Sequence, residues 1–242
     1  MSLLRFACVL ATLLTGYLVI RSMTYYSRKE NSARNISPSY FAAIALLFAL
    51  FASLVFSEVW SRISRINQLI LIQANALRGI LRISENQSGA ALPYRQAVAD
   101  YIRTISEMDE QGHSAANKDS DFSNRTFQPL YALATNSALF DSDPVLHQAI
   151  LEKTDELRNA WFERKELLKQ RILPEKILVL FLMGFFTQVS IAFSHLGNDR
   201  AMRDTVWLFT LAFFTALALL VCIDDTALSR HFISLAALKD VH

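Results

Sequence analysis

Cysteine is scarce: Cys8 and Cys222 are the only two in 242 residues, and both lie inside apolar runs. That excludes a disulfide framework and a thiolate metal cluster. Glycine is scarce too, at six, and none belongs to a phosphate-binding loop, which removes the nucleotide-dependent enzymes. No sign of charge dominates. The 24 Lys and Arg against 22 Asp and Glu leave +2, without the concentrated basic face of a nucleic-acid binder. The five histidines, His113, His147, His195, His231 and His242, have no ligand spacing with Cys or carboxylates. No G-x-S-x-G turn occurs. The carboxylate pairs Asp109-Glu110 and Asp224-Asp225 are adjacent, so on a helix each pair diverges. The expectation is a protein with no metal, no cofactor and no catalytic site, not an enzyme.

What the chain has is long apolar runs. Residues 3–20 contain only Arg5 as a charge, and residues 40–60 only Glu58. Residues 177–194 and 205–223 contain none. At 1.5 Å per residue each run spans roughly 27–32 Å, which matches a hydrocarbon core of about 30 Å. None has a polar face, and an unbroken helix satisfies its own backbone in lipid. Four transmembrane helices are expected. Arg21-Ser22-Met23 supplies no small-x-small cleavage pattern, so the first run reads as a retained span. Tyr17, Tyr25, Tyr26, Tyr40, Trp60 and Trp207 fall at or near the run ends, where amphipathic rings sit at headgroup level.

Between the second and third runs, residues 61–176 carry 15 basic and 15 acidic side chains. Basic residues near the spans count ten on the side of this segment and the termini, against six opposite. Loops this long escape the charge rule, and without the segment the count reverses to three against six. Charge alone leaves the orientation open.

The central segment is helical by period. Ile63, Ile66, Ile70, Ala74, Leu77 and Leu81 recur at spacings of 3, 4, 4, 3 and 4, so the second span continues as one helix until residues 86–89 end it. Pro93 opens the next helix, carrying Tyr94, Val98, Tyr101, Ile105 and Met108. Residues 111–124 are polar and read as a loop. A short helix is expected over 126–140, then one from Asp143-Pro144 to Pro174, which marks a helix break before the third span. No alternating strand pattern appears. The fold class is all-α: an integral membrane protein with a soluble helical bundle (61–176) inserted between spans 2 and 3. The flanks are residues 1–60 and 177–223, with a short tail over 224–242.

Two features carry candidate function. Glu58, like Asp224, is an ionisable group near the membrane, costly unless it faces water or an interior. Ile44, Phe48, Phe51 and Val55 form a stripe at 4, 3, 4 spacing. Helix packing explains such a stripe. So does a hydrophobic constriction that gates ions by dewetting, and on that reading the four residues line a pore.

The layout resembles the bestrophin-like family of bacterial membrane proteins, a domain of unknown function. The residues carrying the resemblance are Phe51 to Trp60 followed by Ser61-Arg62-Ile63-Ser64-Arg65, then Gln73-Ala74-Asn75-Ala76-Leu77 and Tyr94-Arg95-Gln96-Ala97-Val98-Ala99-Asp100-Tyr101. Leu173-Pro174 before the third span and Ile223-Asp224 after the fourth complete it. It covers roughly residues 40–240. The chain departs at Asp225-Thr226-Ala227, where the family commonly has Arg-Pro-Phe. The resemblance implies a homo-oligomeric passive anion channel in the bacterial inner membrane, contacting lipid, with termini and central domain cytoplasmic. Bestrophins' acidic calcium-binding stretch has no counterpart, so calcium gating does not carry over. A non-conducting sensor or scaffold, whose helical domain binds a ligand or protein, is the second expectation.

Overall fold

The computed structural model describes residues 2–29, 38–85, 91–111, 120–136, 144–170, 172–195 and 198–224. Every element among the described residues is helical: α1 (Ser2–Lys29), α2 (Pro38–Glu85), α3 (Ala91–Gln111), α4 (Ser120–Thr135), α5 (Pro144–Lys169), α6 (Pro174–Ser194) and α7 (Asp199–Asp224). Four of them, α1, α2, α6 and α7, are long and apolar enough to cross a membrane. Each contains one of the expected runs and extends beyond it.

α2 is one uninterrupted helix of 48 residues. Nothing between Ser39 and Arg78 is proline or glycine, so no backbone hydrogen bond is removed and no cheap bend is supplied. It ends at Glu85; the expected stop at 86–89 lies outside the described residues. The expected loop at 111–124 is shorter than its polarity suggests. α4 already starts at Ser120, because Ser and Asp serve a helix start as readily as a loop. α4 ends at Thr135 and tolerates Pro129 within it, held by Phe127, Leu130 and Ala134 in the core. α5 stops at Lys169, short of Pro174, which instead takes the first position of α6. The expected cap at Asp143 lies outside the described residues.

The chain divides into two units. The first comprises Met1–Ser61 and Arg171–Asp225, the second Arg62–Gln170 among the described residues. In the first, α1, α6 and α7 pack closely on small side chains, the usual way helices approach without a hydrophobic drive. A Cβ at Gly16 would lie 2.5 Å from Thr210 Oγ1. Buried Gln188 donates to Thr210 Oγ1 at 3.1 Å and to the Thr12 carbonyl at 3.4 Å. One amide thus ties three apolar helices together.

In the second unit the expected stripe of α2 faces inward: Ile66, Ile70, Ala74 and Leu77 join Tyr94, Val98, Tyr101 and Ile105 of α3 in one core. α4 adds Phe127, Leu130 and Ala134, and α5 adds Ile150, Leu157 and Trp161. His147 Nε2 pairs with the Ala134 carbonyl at 2.7 Å, joining α4 to α5. Burial pushes the Tyr101 phenol well above its usual pKa, so it stays neutral. Gln73 is fully buried, and neither amide atom has a partner among the described residues. An orphaned buried amide costs about 1–3 kcal/mol. Gln73→Leu should therefore stabilise the protein by about that amount, read as a higher thermal unfolding midpoint in detergent. A fall in the midpoint would show that the amide is satisfied.

Candidate functional site

Successive residues of an α-helix turn by about 100°, so positions three and four apart share a face. On the span portion of α2, Leu46, Leu50, Ser53, Ser57 and Ser61 follow at spacings of 4, 3, 4 and 4, and all five are exposed. Leucines lead and hydroxyls follow. Ser53 donates back to the Leu50 carbonyl at 2.8 Å.

Ile44, Phe48, Phe51 and Val55 lie on the opposite side of the helix. Val55 is only 3% exposed, and Ile44, Phe48 and Phe51 are half-buried. The Phe48 ring meets the edges of Phe209 and Phe213 on α7, with centroids 5.7 and 5.4 Å apart. Edge-to-face pairs at this distance add to packing. In the described chain this stripe is therefore the face that α2 turns toward its own neighbours.

Glu58 is bonded. Lys176 Nζ, in the first turn of α6, donates to its two carboxylate oxygens at 2.7 and 2.5 Å. Both side chains remain partly exposed, and Trp60 beside them is exposed, as expected of groups at a membrane–water boundary. Asp224, the last residue of α7, is 2% exposed and accepts the Ile172 N–H at 3.1 Å. This contact fixes the chain just before α6 without capping the helix. Leu173 offers α6 no side-chain hydrogen bond and Pro174 has no N–H.

In the second unit, an open cleft of about 440 Å³ between α2 and α5 is lined by Arg65, Leu69 and Ile72 opposite Glu152, Asp155, Glu156 and Glu163. Its charges are largely paired within the chain. Glu163 takes Arg65 at 2.7 Å, Glu156 takes Lys153 at 2.6 Å and Asp155 accepts from the Tyr131 hydroxyl. Among the described residues no group of three His, Cys, Asp or Glu could hold a metal ion.

The outward serine row was missed by a reading that weighed phenylalanines. Its 4, 4 spacing was visible. What was not visible was which side of α2 the other helices would occupy.

Residues 7–232 match the family described as Bestrophin-like domain. No curated protein matches the chain. Among solved structures, a bacterial bestrophin homologue from Klebsiella pneumoniae is 14% identical with a TM-score of 0.69, covering 98% of this chain and 97% of that one. A structure described only as a membrane protein is 14% identical with a TM-score of 0.72, covering 96% and 94%. A single-substitution variant of the Klebsiella homologue is 15% identical with a TM-score of 0.66, covering 98% of each chain. At such identities the likeness is one of fold.

Proposed function

Because the chain belongs to the bestrophin-like family, we propose that this membrane protein is a homo-oligomeric, passive anion channel of a bacterial inner membrane. The exposed face of α2 lines its path. On this reading residues 62–170 stand in water on the cytoplasmic side, together with the termini.

The observation that carries the reading is the hydroxyl row Ser53, Ser57 and Ser61 on an outward face. α2 is also the least covered span, with 11% of its apolar window buried against 22%, 39% and 39% for the others. Among the described residues, the rest of the chain leaves this helix mostly uncovered. Ser53 is satisfied by the Leu50 carbonyl, but lipid offers nothing further to a row of hydroxyls, each of which can also accept. Water along a shared axis offers more, and polar groups in spans characteristically face such a cavity. Leu46 and Leu50 precede the row on the same face and suit a constriction that closes by dewetting. We place the constriction there rather than on Ile44, Phe48, Phe51 and Val55, because the latter side chains are occupied within the chain.

The test is chloride flux in liposomes carrying the purified protein. Leu50→Ala should raise flux several-fold. Phe48→Ala should leave flux near wild type while lowering the unfolding midpoint, since it removes ring contacts. A rise with Phe48→Ala and none with Leu50→Ala would return the constriction to the phenylalanine stripe. Background-level flux from wild type and both variants would leave the non-conducting scaffold.

A further inference from the structure

Serine and threonine on a helix commonly donate to a carbonyl one turn back. The apolar helices of this chain follow that habit. Thr12 donates to the Val9 carbonyl at 2.7 Å, Ser22 to Leu18 at 2.7 Å, Ser53 to Leu50 at 2.8 Å and Ser194 to Ile191 at 2.8 Å. Ser57 and Ser61 depart from it. Both are exposed, and neither hydroxyl makes a hydrogen bond among the described residues. Their protons can therefore turn outward, off the helix surface. Four residues apart in sequence, the two groups stand about 6 Å apart along α2 and about 40° apart around it.

Their neighbours fix their level on the helix. Glu58 and Trp60 fall between them in sequence, and the exposed Trp60 ring and the Glu58–Lys176 pair suit the edge of a bilayer. An ion passing this edge toward Leu50 and Leu46 loses part of its water shell. Dehydration hinders compact anions most, because concentrated charge is the most strongly hydrated. A hydroxyl proton acts the other way. Coulomb attraction falls with distance, so it holds a small anion more strongly than a large one.

We infer that Ser57 and Ser61 set the order of preference among permeant anions, by donating their hydroxyl protons to a partly dehydrated ion and so favouring compact halides over large ones. The inference rests on the channel reading above and adds which anions the path takes. It concerns the choice among anions and not the sign of the ion, because a hydroxyl oxygen also accepts. Leu46 and Leu50 have no proton to donate. Without the two hydroxyls only the cost of dehydration ranks the ions, and iodide gains on chloride.

The experiment measures bi-ionic reversal potentials of the reconstituted full chain, with potassium chloride on one side and potassium iodide on the other. Ser57→Ala/Ser61→Ala removes both donors with little change in side-chain size. It should raise the iodide-to-chloride permeability ratio by roughly 2- to 10-fold, the factor that corresponds to one net hydrogen bond. Each single alanine should give part of that shift. Ser53→Ala should give less than either, since the Ser53 proton already rests on the Leu50 carbonyl. The pair is measured again together with Leu50→Ala, whose wider constriction should keep the flux large. A conducting pair with the wild-type ratio overturns the inference and leaves the channel reading standing. So does a shift from Ser53→Ala as large as that from Ser57→Ala, because the row would then act through polarity alone. A pair silent in both backgrounds overturns it too, since losing the donors should re-rank ions without stopping them. Wild-type flux no greater than that of protein-free liposomes overturns both.

Discussion

Trp161→Ala is expected to lower the stability of the charged helical unit by about 3–5 kcal/mol, the usual cost of emptying a large ring site in a packed core. Trp161 is only 3% exposed. Its ring meets Phe127 edge-on at 5.4 Å and Phe162 at 5.0 Å, and Lys165 Nζ stands 4.9 Å from its centre. Phe127 in turn meets Tyr101 at 5.5 Å. Trp161 on α5 is thus linked through Phe127 of α4 to Tyr101 of α3. Protein interiors relax only partly around a void, so most of the loss should persist. Thermal unfolding in detergent, followed by near-UV circular dichroism, would measure it. Phe162→Ala, removing a ring that is 42% exposed, should cost less than half as much. Equal losses from the two variants would mean that Trp161 is not central to the core.

The second large effect is expected at Gly184. A Cβ there would fall on Phe213 Cε1 and Cζ, closer than side chains tolerate. The flexible end of a side chain could step aside, but Phe213 is itself flanked by Phe48 and Phe209, at 5.4 and 6.0 Å. Gly184→Ala should therefore cost about 1–3 kcal/mol through overpacking. The diagnostic is the pair: Gly184→Ala/Phe213→Leu should unfold no earlier than Phe213→Leu alone, because the methyl then occupies space the ring vacated. Additive losses would mean that α6 and α7 do not approach at this point.

The four spans were legible because bilayer thickness fixes their length, and a run of 18–21 apolar residues needs no tertiary knowledge to be recognised. The inward stripes of α2 and α3 were legible for a similar reason: Ile66, Ile70, Leu77, Tyr94 and Tyr101 announce their face by spacing alone. Faces within an all-apolar span do not announce themselves. Phe48 and Leu46 are equally apolar, and the difference between them is created by Phe209 and Phe213, about 160 residues further along. Gln188 went unread for a related reason. A neutral amide inside a long apolar run leaves its hydropathy intact, and its partners Thr12 and Thr210 belong to other helices. The start of α4 was misplaced because Ser120 and Asp121 carry the same local signal whether the chain turns or begins to coil.

The carboxylate that serves the start of α6 comes from the far end of α7. Ile172 and Asp224 are 52 positions apart, whereas Glu58 precedes its partner Lys176 by 118. During synthesis, then, the lysine finds its counter-ion already laid down, while the amide two residues ahead of Pro174 stays bare until the final hydrophobic segment has emerged from the ribosome and been threaded into the bilayer. The entry to the third span is thus completed only by the fourth.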